Sequence, residues 1–191
     1  MRGESLTKSR QPIGYGSMSS IVRGWLALTL VLGWSAAVLG AHNPDDSWAT
    51  LRLVGDTLEI DAEMSTETAM TLLGVPIGTQ PGPEDRNELI GPLTKAAGKI
   101  YRFSIGERVL KLQSAQVEMR EEDGVAFHLV YEKPAALSGP LTCYAQFLEH
   151  TTPEHRTAVT LVDARGKVVG GDMLDLYRTA VVIPLPGKTG D

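Results

Sequence analysis

The sequence has little cysteine and little positive charge. It contains one cysteine, Cys143, among 191 residues, and its formal net charge is -5. A lone cysteine excludes an internal disulfide, and a negative surface repels phosphate backbones, so we do not expect a nucleic-acid partner. Leu141, Cys143, Ala145 and Phe147 occupy every second position, so they share one side of a strand, and polar residues occupy the other side. This pattern predicts a small buried apolar thiol, with a bridge between two chains as the alternative.

Familiar catalytic and nucleotide-binding motifs are absent as well. The chain has no Gly-x-Ser-x-Gly elbow, no P-loop and no Cys-x-x-Cys pair. Gly170-Gly171 predicts a turn, because no strand-then-helix pattern surrounds it. The clustered acids at Asp45-Asp46 and 121–123 fall in predicted turns, where no apolar burial prepares one carboxyl group as a proton donor. We therefore expect a non-catalytic protein.

An apolar segment near the start of the chain predicts export. Residues 24–40 carry no charge, and four of the 18 basic residues but only one of the 23 acidic residues lie in the first 41 positions. A basic start followed by an apolar helix is typical of a signal peptide. We predict a signal peptide over residues 1–41, cleaved after Gly40 or Ala41, and a periplasmic or secreted protein. Translation from Met18 would give a leader of ordinary length, and an uncleaved membrane anchor is the alternative to cleavage.

The rest of the chain has the pattern of one acidic, strand-rich domain. It keeps 14 basic and 22 acidic residues, a net charge of -8. Apolar residues alternate with polar ones from Trp48 onward, in about eight short runs separated by turns roughly every 8–12 residues. This predicts a mainly β fold over residues 42–187, an immunoglobulin-like β-sandwich with one or two short inserted helices, followed by a frayed tail at 188–191. An α+β layer is the alternative.

Two segments have helical rather than strand patterns. Ser65 is a predicted N-cap for a helix over residues 66–73. Between residues 89 and 100 the apolar side chains share one helical face. Pro92 must then lie in the first turn of that helix, since a deeper proline would cost about 3 kcal/mol.

Three stretches of the chain resemble a known family. They are AHNPDDSWATLRLVGDTLEIDAEMS, the mid-chain helix leading into KIYRFSIGERVL, and FLEHTTPEHRTAVTLVDARGKVVGGDML. Together they resemble the extracytoplasmic N-terminal domain of HupE/UreJ-like bacterial membrane proteins, over most of residues 41–186. The resemblance implies an exported bacterial sandwich module that acts with a membrane protein as its partner. Family members continue into several membrane helices, and no comparable apolar run follows the leader here, so we expect no permease-like role.

The four histidines are the candidate metal ligands. If cleavage follows Ala41, His42 becomes the first residue, and its amine and imidazole together can chelate Cu(II). His128, His150 and His155 are the candidate partners. In the alternative interpretation His128 lies on a strand surface, and the other two shape a polar loop or anchor it through hydrogen bonds rather than holding one ion with a neighbouring glutamate. We expect no cofactor, with copper as the alternative.

Trp48 begins the first predicted strand. We expect it to anchor the core, with stacking on a sugar or peptide as the alternative. The sequence as a whole predicts an exported, non-catalytic binding or accessory module. A periplasmic copper-binding protein that uses His42 is the alternative function.

Overall fold

The computed structural model describes residues 46–82, 84–133 and 139–185. The predicted signal peptide, His42 and the tail at 188–191 lie outside these residues. The strands are β1 (Asp46–Val54), β2 (Thr57–Ser65), β3 (Tyr101–Ile105), β4 (Arg108–Val109), β5 (Leu112–Met119), β6 (Gly124–Glu132), β7 (Leu141–Ala145), β8 (Arg156–Val162), β9 (Val168–Leu174) and β10 (Ala180–Ile183). The helices are α1 (Thr66–Thr71) and α2 (Ile90–Ala96), with 3₁₀ turns at Arg86–Leu89, Ala97–Lys99, Glu121–Asp123 and Gln146–His150.

The strands form two sheets that pack face to face. The larger sheet has the order β5-β6-β2-β1-β8-β9, and the smaller has the order β10-β7-β3-β4. Neighbouring strands are antiparallel except β1 and β8, which are parallel. Most strands bury one face because their side chains alternate, whereas both residues of the short β4 are exposed. The two buried faces form one core. The predicted mainly β sandwich with short inserted helices is confirmed, and its described part has ten strands rather than about eight.

Aromatic side chains join the two sheets at the centre of the core. Phe103 of β3 is fully buried, and its ring centroid lies 5.0 Å from that of Tyr131 on β6 in an edge-to-face arrangement. The Tyr131 hydroxyl donates a hydrogen bond to the Tyr101 carbonyl oxygen at 2.9 Å. A buried phenol must find such a partner, because an unpaired hydroxyl would carry the full cost of desolvation.

The inserted helices follow the predicted caps. The Ser65 hydroxyl accepts a hydrogen bond from the Thr68 amide at the start of α1, as an N-cap does. Pro92 is the third residue of α2, within the first turn. No helix of the described residues is long and apolar enough to cross a membrane.

Three local predictions are wrong. Gly170 and Gly171 do not form a turn but lie in the middle of β9. The alternating run that contains Leu141, Cys143, Ala145 and Phe147 is a strand only as far as Ala145, where a 3₁₀ turn begins. Trp48 does not anchor the core: it is 37% exposed, and its neighbour Ser47 takes the buried position.

Cys143 has the predicted buried position on β7. Its side chain is fully shielded from solvent, and burial raises the pKa of the thiol far above its usual range. The thiolate is the reactive form of cysteine, so in the folded domain Cys143 is an inert core residue. A bridge between two folded chains through this thiol is closed off by the same burial.

Candidate functional site: a groove beside Trp48

The outward face of the six-stranded sheet brings together an indole, an imidazole and several charged side chains. On β1 the residues Ser47, Ala49 and Leu51 point into the core, so Trp48 and Thr50 point outward. The same alternation turns Asp61 outward on β2, together with Glu59 and Glu63, which lie two positions before and after it. Period-two alternation is therefore what places an indole among charged groups.

Strand register lines these outward residues up in rows. Trp48 pairs with Glu63, Glu63 with Ala126, and Ala126 with Glu118. Directly paired residues on one face of a sheet have their Cβ atoms about 5 Å apart. One row therefore crosses four strands, from the indole on β1 to a carboxylate on β5.

A second row runs parallel to the first. Thr50 pairs with Asp61, Asp61 with His128, and His128 with Gln116. The two rows bound a groove of about 330 Å³. We call it the Trp48 groove; besides the outward-facing indole of Trp48, its polar lining residues are Asp61, Glu63, Gln116, Glu118, Arg120 and His128. The small side chain of Ala126 leaves room between Glu63 and Glu118.

Asp61 is the most strongly held charge of the groove. His128 Nδ1 lies 2.8 Å from one carboxylate oxygen, and the Arg52 guanidinium hydrogen-bonds the other. Partial burial alone would raise the pKa of Asp61, but the hydrogen bonds from His128 and Arg52 outweigh it and lower the pKa below the ordinary value of 3.8. Asp61 is therefore ionised at neutral pH and is not a proton donor.

Arg120 organises the opposite side of the groove. Its Nη1 lies 2.9 Å from Glu118 Oε1, and its Nε lies 4.0 Å from Glu63 Oε2. Solvent-exposed pairs of this kind add little stability. They place both carboxylates within reach of one guanidinium group.

We expect the ion pairs of Asp61 to add a small amount of stability that is lost in acid, below about 1 kcal/mol because the paired side chains are more than a third exposed. Because the folded-state pKa is depressed, the unfolded chain binds more protons around the ordinary value of 3.8. The contribution is therefore complete above that value and disappears as the pH falls through the lower folded-state pKa. Urea midpoints of the wild type and of Asp61→Asn should differ at neutral pH and converge in acid. A gap that stays constant over this range would contradict the assignment.

The structure separates the candidate histidines. His128 lies in the Trp48 groove on the outward face of the sheet, whereas His155 is 1% exposed on the inward side. His150 is exposed at the end of the Gln146–His150 turn. Among the described residues no three His, Cys, Asp or Glu side chains are grouped to hold a metal ion. A copper site that uses His42 stays a prediction, since that residue lies outside the described part.

His155 anchors the corner that precedes β8. Its Nε2 lies 3.1 Å from the Ser47 hydroxyl, and the Phe147 ring packs edge-on against the imidazole with centroids 5.7 Å apart. A serine beside a histidine is also the arrangement of a nucleophile and its base. Here both residues are buried, with Ser47 only 6% exposed, so this pair fastens the start of β1 to the start of β8 instead of facing a substrate.

Two other clefts combine fewer aromatic and charged side chains than the Trp48 groove does. One of about 500 Å³ lies between the end of α1 and the Gln146–His150 turn, where Lys99, Glu149 and His150 are its charged residues. Glu149 already accepts a hydrogen bond from the Tyr144 hydroxyl. Another of about 530 Å³ lies over the smaller sheet and has Tyr144 as its only aromatic residue, without a row of fixed carboxylates.

The described residues form a β-sandwich whose six-stranded sheet has the Trp48 groove on its outward face. No protein-family model matches the chain, and no curated protein does either.

Proposed function

We propose that this chain is an exported, non-catalytic binding module and that the Trp48 groove is its ligand-binding surface. The observation that supports this most is the outward position of Trp48, because 37% of this large aromatic residue stays exposed on a polar sheet face. Concave sites with one aromatic side chain and a few fixed polar groups are the usual form of ligand sites.

Binding fits the groove better than catalysis does. A general acid needs a carboxyl group whose pKa is raised, whereas the pKa of Asp61 is lowered by His128 and Arg52. The buried Ser47–His155 pair lies on the inward side of the sheet, away from the groove. Export is supported by the basic and apolar leader, and a membrane protein as partner is supported by the resemblance to HupE/UreJ-like proteins.

Tryptophan fluorescence tests this proposal directly. The chain has three tryptophans, and Trp25 and Trp34 lie in the predicted leader. In the full chain carrying Trp25→Phe and Trp34→Phe, all tryptophan emission comes from the groove, whether or not the leader is removed. Oligosaccharides, peptides of mixed sequence and phospholipid vesicles should be titrated in turn. Intact mass of the same sample reports whether the leader has been cleaved.

A matched pair of variants locates the binding. Ala126 and Val130 both point outward on β6, but only Ala126 lines the groove. We expect one ligand class to change Trp48 emission saturably, and Ala126→Phe to weaken that binding at least about tenfold by filling the groove. Val130→Phe should bind as the parent does. If no class changes the emission, or if Ala126→Phe binds normally, the groove is not the binding surface.

A further inference from the structure

We propose that the ligand of the Trp48 groove is a neutral oligosaccharide, an inference that rests on the proposed function. A sugar ring has one face rich in C–H groups and a rim of hydroxyls. The flat face of an indole is apolar and matches the first, and a ring of polar side chains matches the second. The groove has both within one space of about 330 Å³.

The indole is positioned so that a ring could lie on it. Trp48 pairs with Ala158 of β8 on one side and with Glu63 of β2 on the other. Alanine is too small to cover the indole, and the Glu63 side chain is directed in part toward Arg120. The 37% of Trp48 that stays exposed is thus an aromatic surface held by a regular strand, which keeps the ordering cost of binding low.

The polar residues offer donors and acceptors together. Asp61, Glu63 and Glu118 are acceptors, while Arg120 and the amide of Gln116 donate. Because Nδ1 of His128 faces the Asp61 carboxylate, that nitrogen carries a proton, and Nε2 is the ring nitrogen left to hydrogen-bond a ligand. Sugar hydroxyls both donate and accept, so a mixed set of this kind suits them better than it suits a purely acidic or basic ligand.

Charge pairing favours a ligand without net charge. Each carboxylate of the groove faces a positive or protonatable partner: Asp61 has Arg52 and His128, and Glu63 and Glu118 share Arg120. A strongly cationic ligand would have to displace these partners. An anionic ligand, such as a phosphate or a lipid headgroup, would meet three carboxylates instead.

The position of the groove argues against an extended peptide. Peptides bind sheets mainly by adding a strand to an exposed edge, where backbone groups are unpaired. The groove lies across the faces of β1, β2, β6 and β5. The strands β1, β2 and β6 are hydrogen-bonded to a neighbour on both sides, and β5 is an edge strand. Recognition here must therefore come from side chains, as it does for sugars.

Calorimetric titration of the full chain tests the inference. The probes are linear β-linked N-acetylglucosamine oligomers, β-glucan oligomers and α-glucan oligomers, so that the arms distinguish the possible glycan sources. We expect saturable binding in at least one arm. Trp48→Ala should weaken it by about tenfold or more, Trp48→Tyr should weaken it less because a ring remains, and Val130→Phe should leave it unchanged.

The possible failures are distinguishable. If peptides or vesicles change Trp48 emission and no oligosaccharide does, the ligand class is wrong while the binding function stands. If none of the probes does, both proposals fail. Sugar binding that is unaffected in Trp48→Ala, with that variant folded as judged by thermal melting, would show that the indole is not the platform.

Discussion

Replacing Phe103 by alanine is expected to lower the free energy of unfolding by about 4 kcal/mol, the usual range for a buried phenylalanine. Phe103 is fully buried between the sheets and packs against the rings of Tyr131 and Tyr101, with centroids 5.0 and 5.9 Å away. The truncated side chain would leave a cavity that neither sheet can fill, because each is held by its own hydrogen bonds.

Urea denaturation of the wild type and of Phe103→Ala measures this loss of stability. For a domain of this size, a change of 4 kcal/mol corresponds to a melting temperature lower by roughly 8–16 °C. Val109→Ala is the control, since Val109 is a β-branched residue of the same sheet but 46% exposed; we expect it to change stability by less than about 1 kcal/mol. A loss of similar size in both variants would show that Phe103 does not occupy the centre of the core.

Elements with one buried face were predictable from the sequence. The hairpin of β1 and β2 follows from its strict alternation and from Gly55, which adopts a positive φ of 51° in the turn. Ser65 and Pro92 mark helix starts for reasons that involve only neighbouring residues. Where the physical cause is local, sequence reasoning and structure agree.

The groove could not be predicted, because it depends on strand register. Trp48, Glu63, Ala126 and Glu118 come together only through pairing between strands far apart in the chain. The alternation of β1 did contain a usable signal. It placed Trp48 on the side of the polar Thr50 and Arg52, but its position at the start of the first strand favoured the core in our interpretation.

His155 shows a related limit. Its place in a polar loop beside Pro153 was compatible with a metal ligand or with a hydrogen-bonded corner. Ser47, whose hydroxyl hydrogen-bonds the buried imidazole, lies 108 residues earlier. Nothing in the local sequence points to that contact.

Gly171→Ala is expected to destabilise the domain by about 3 kcal/mol, and more than Gly170→Ala does. Both glycines lie in β9, where the sequence pattern predicted a turn. At Gly171 φ is 152°, and an added Cβ would approach the Val159 carbonyl oxygen to 2.2 Å. That atom belongs to the backbone of β8, which pairs with β9, so the clash is relieved only by separating the two strands.

Gly170 is the matched control within the same strand. An added Cβ there would meet Cγ2 of Ile183 at 2.5 Å, a methyl group of a buried β-branched side chain. We expect a loss of about 2 kcal/mol, smaller than at Gly171 because the contact is with a side chain rather than with backbone. Urea denaturation of the two variants gives the order directly. Equal or reversed losses would mean that Gly171 does not lie against the backbone of β8, and that the glycine pair turns the chain as its sequence pattern suggests. The larger loss at Gly171 would instead show that close contact with β8, rather than a turn, requires the glycine.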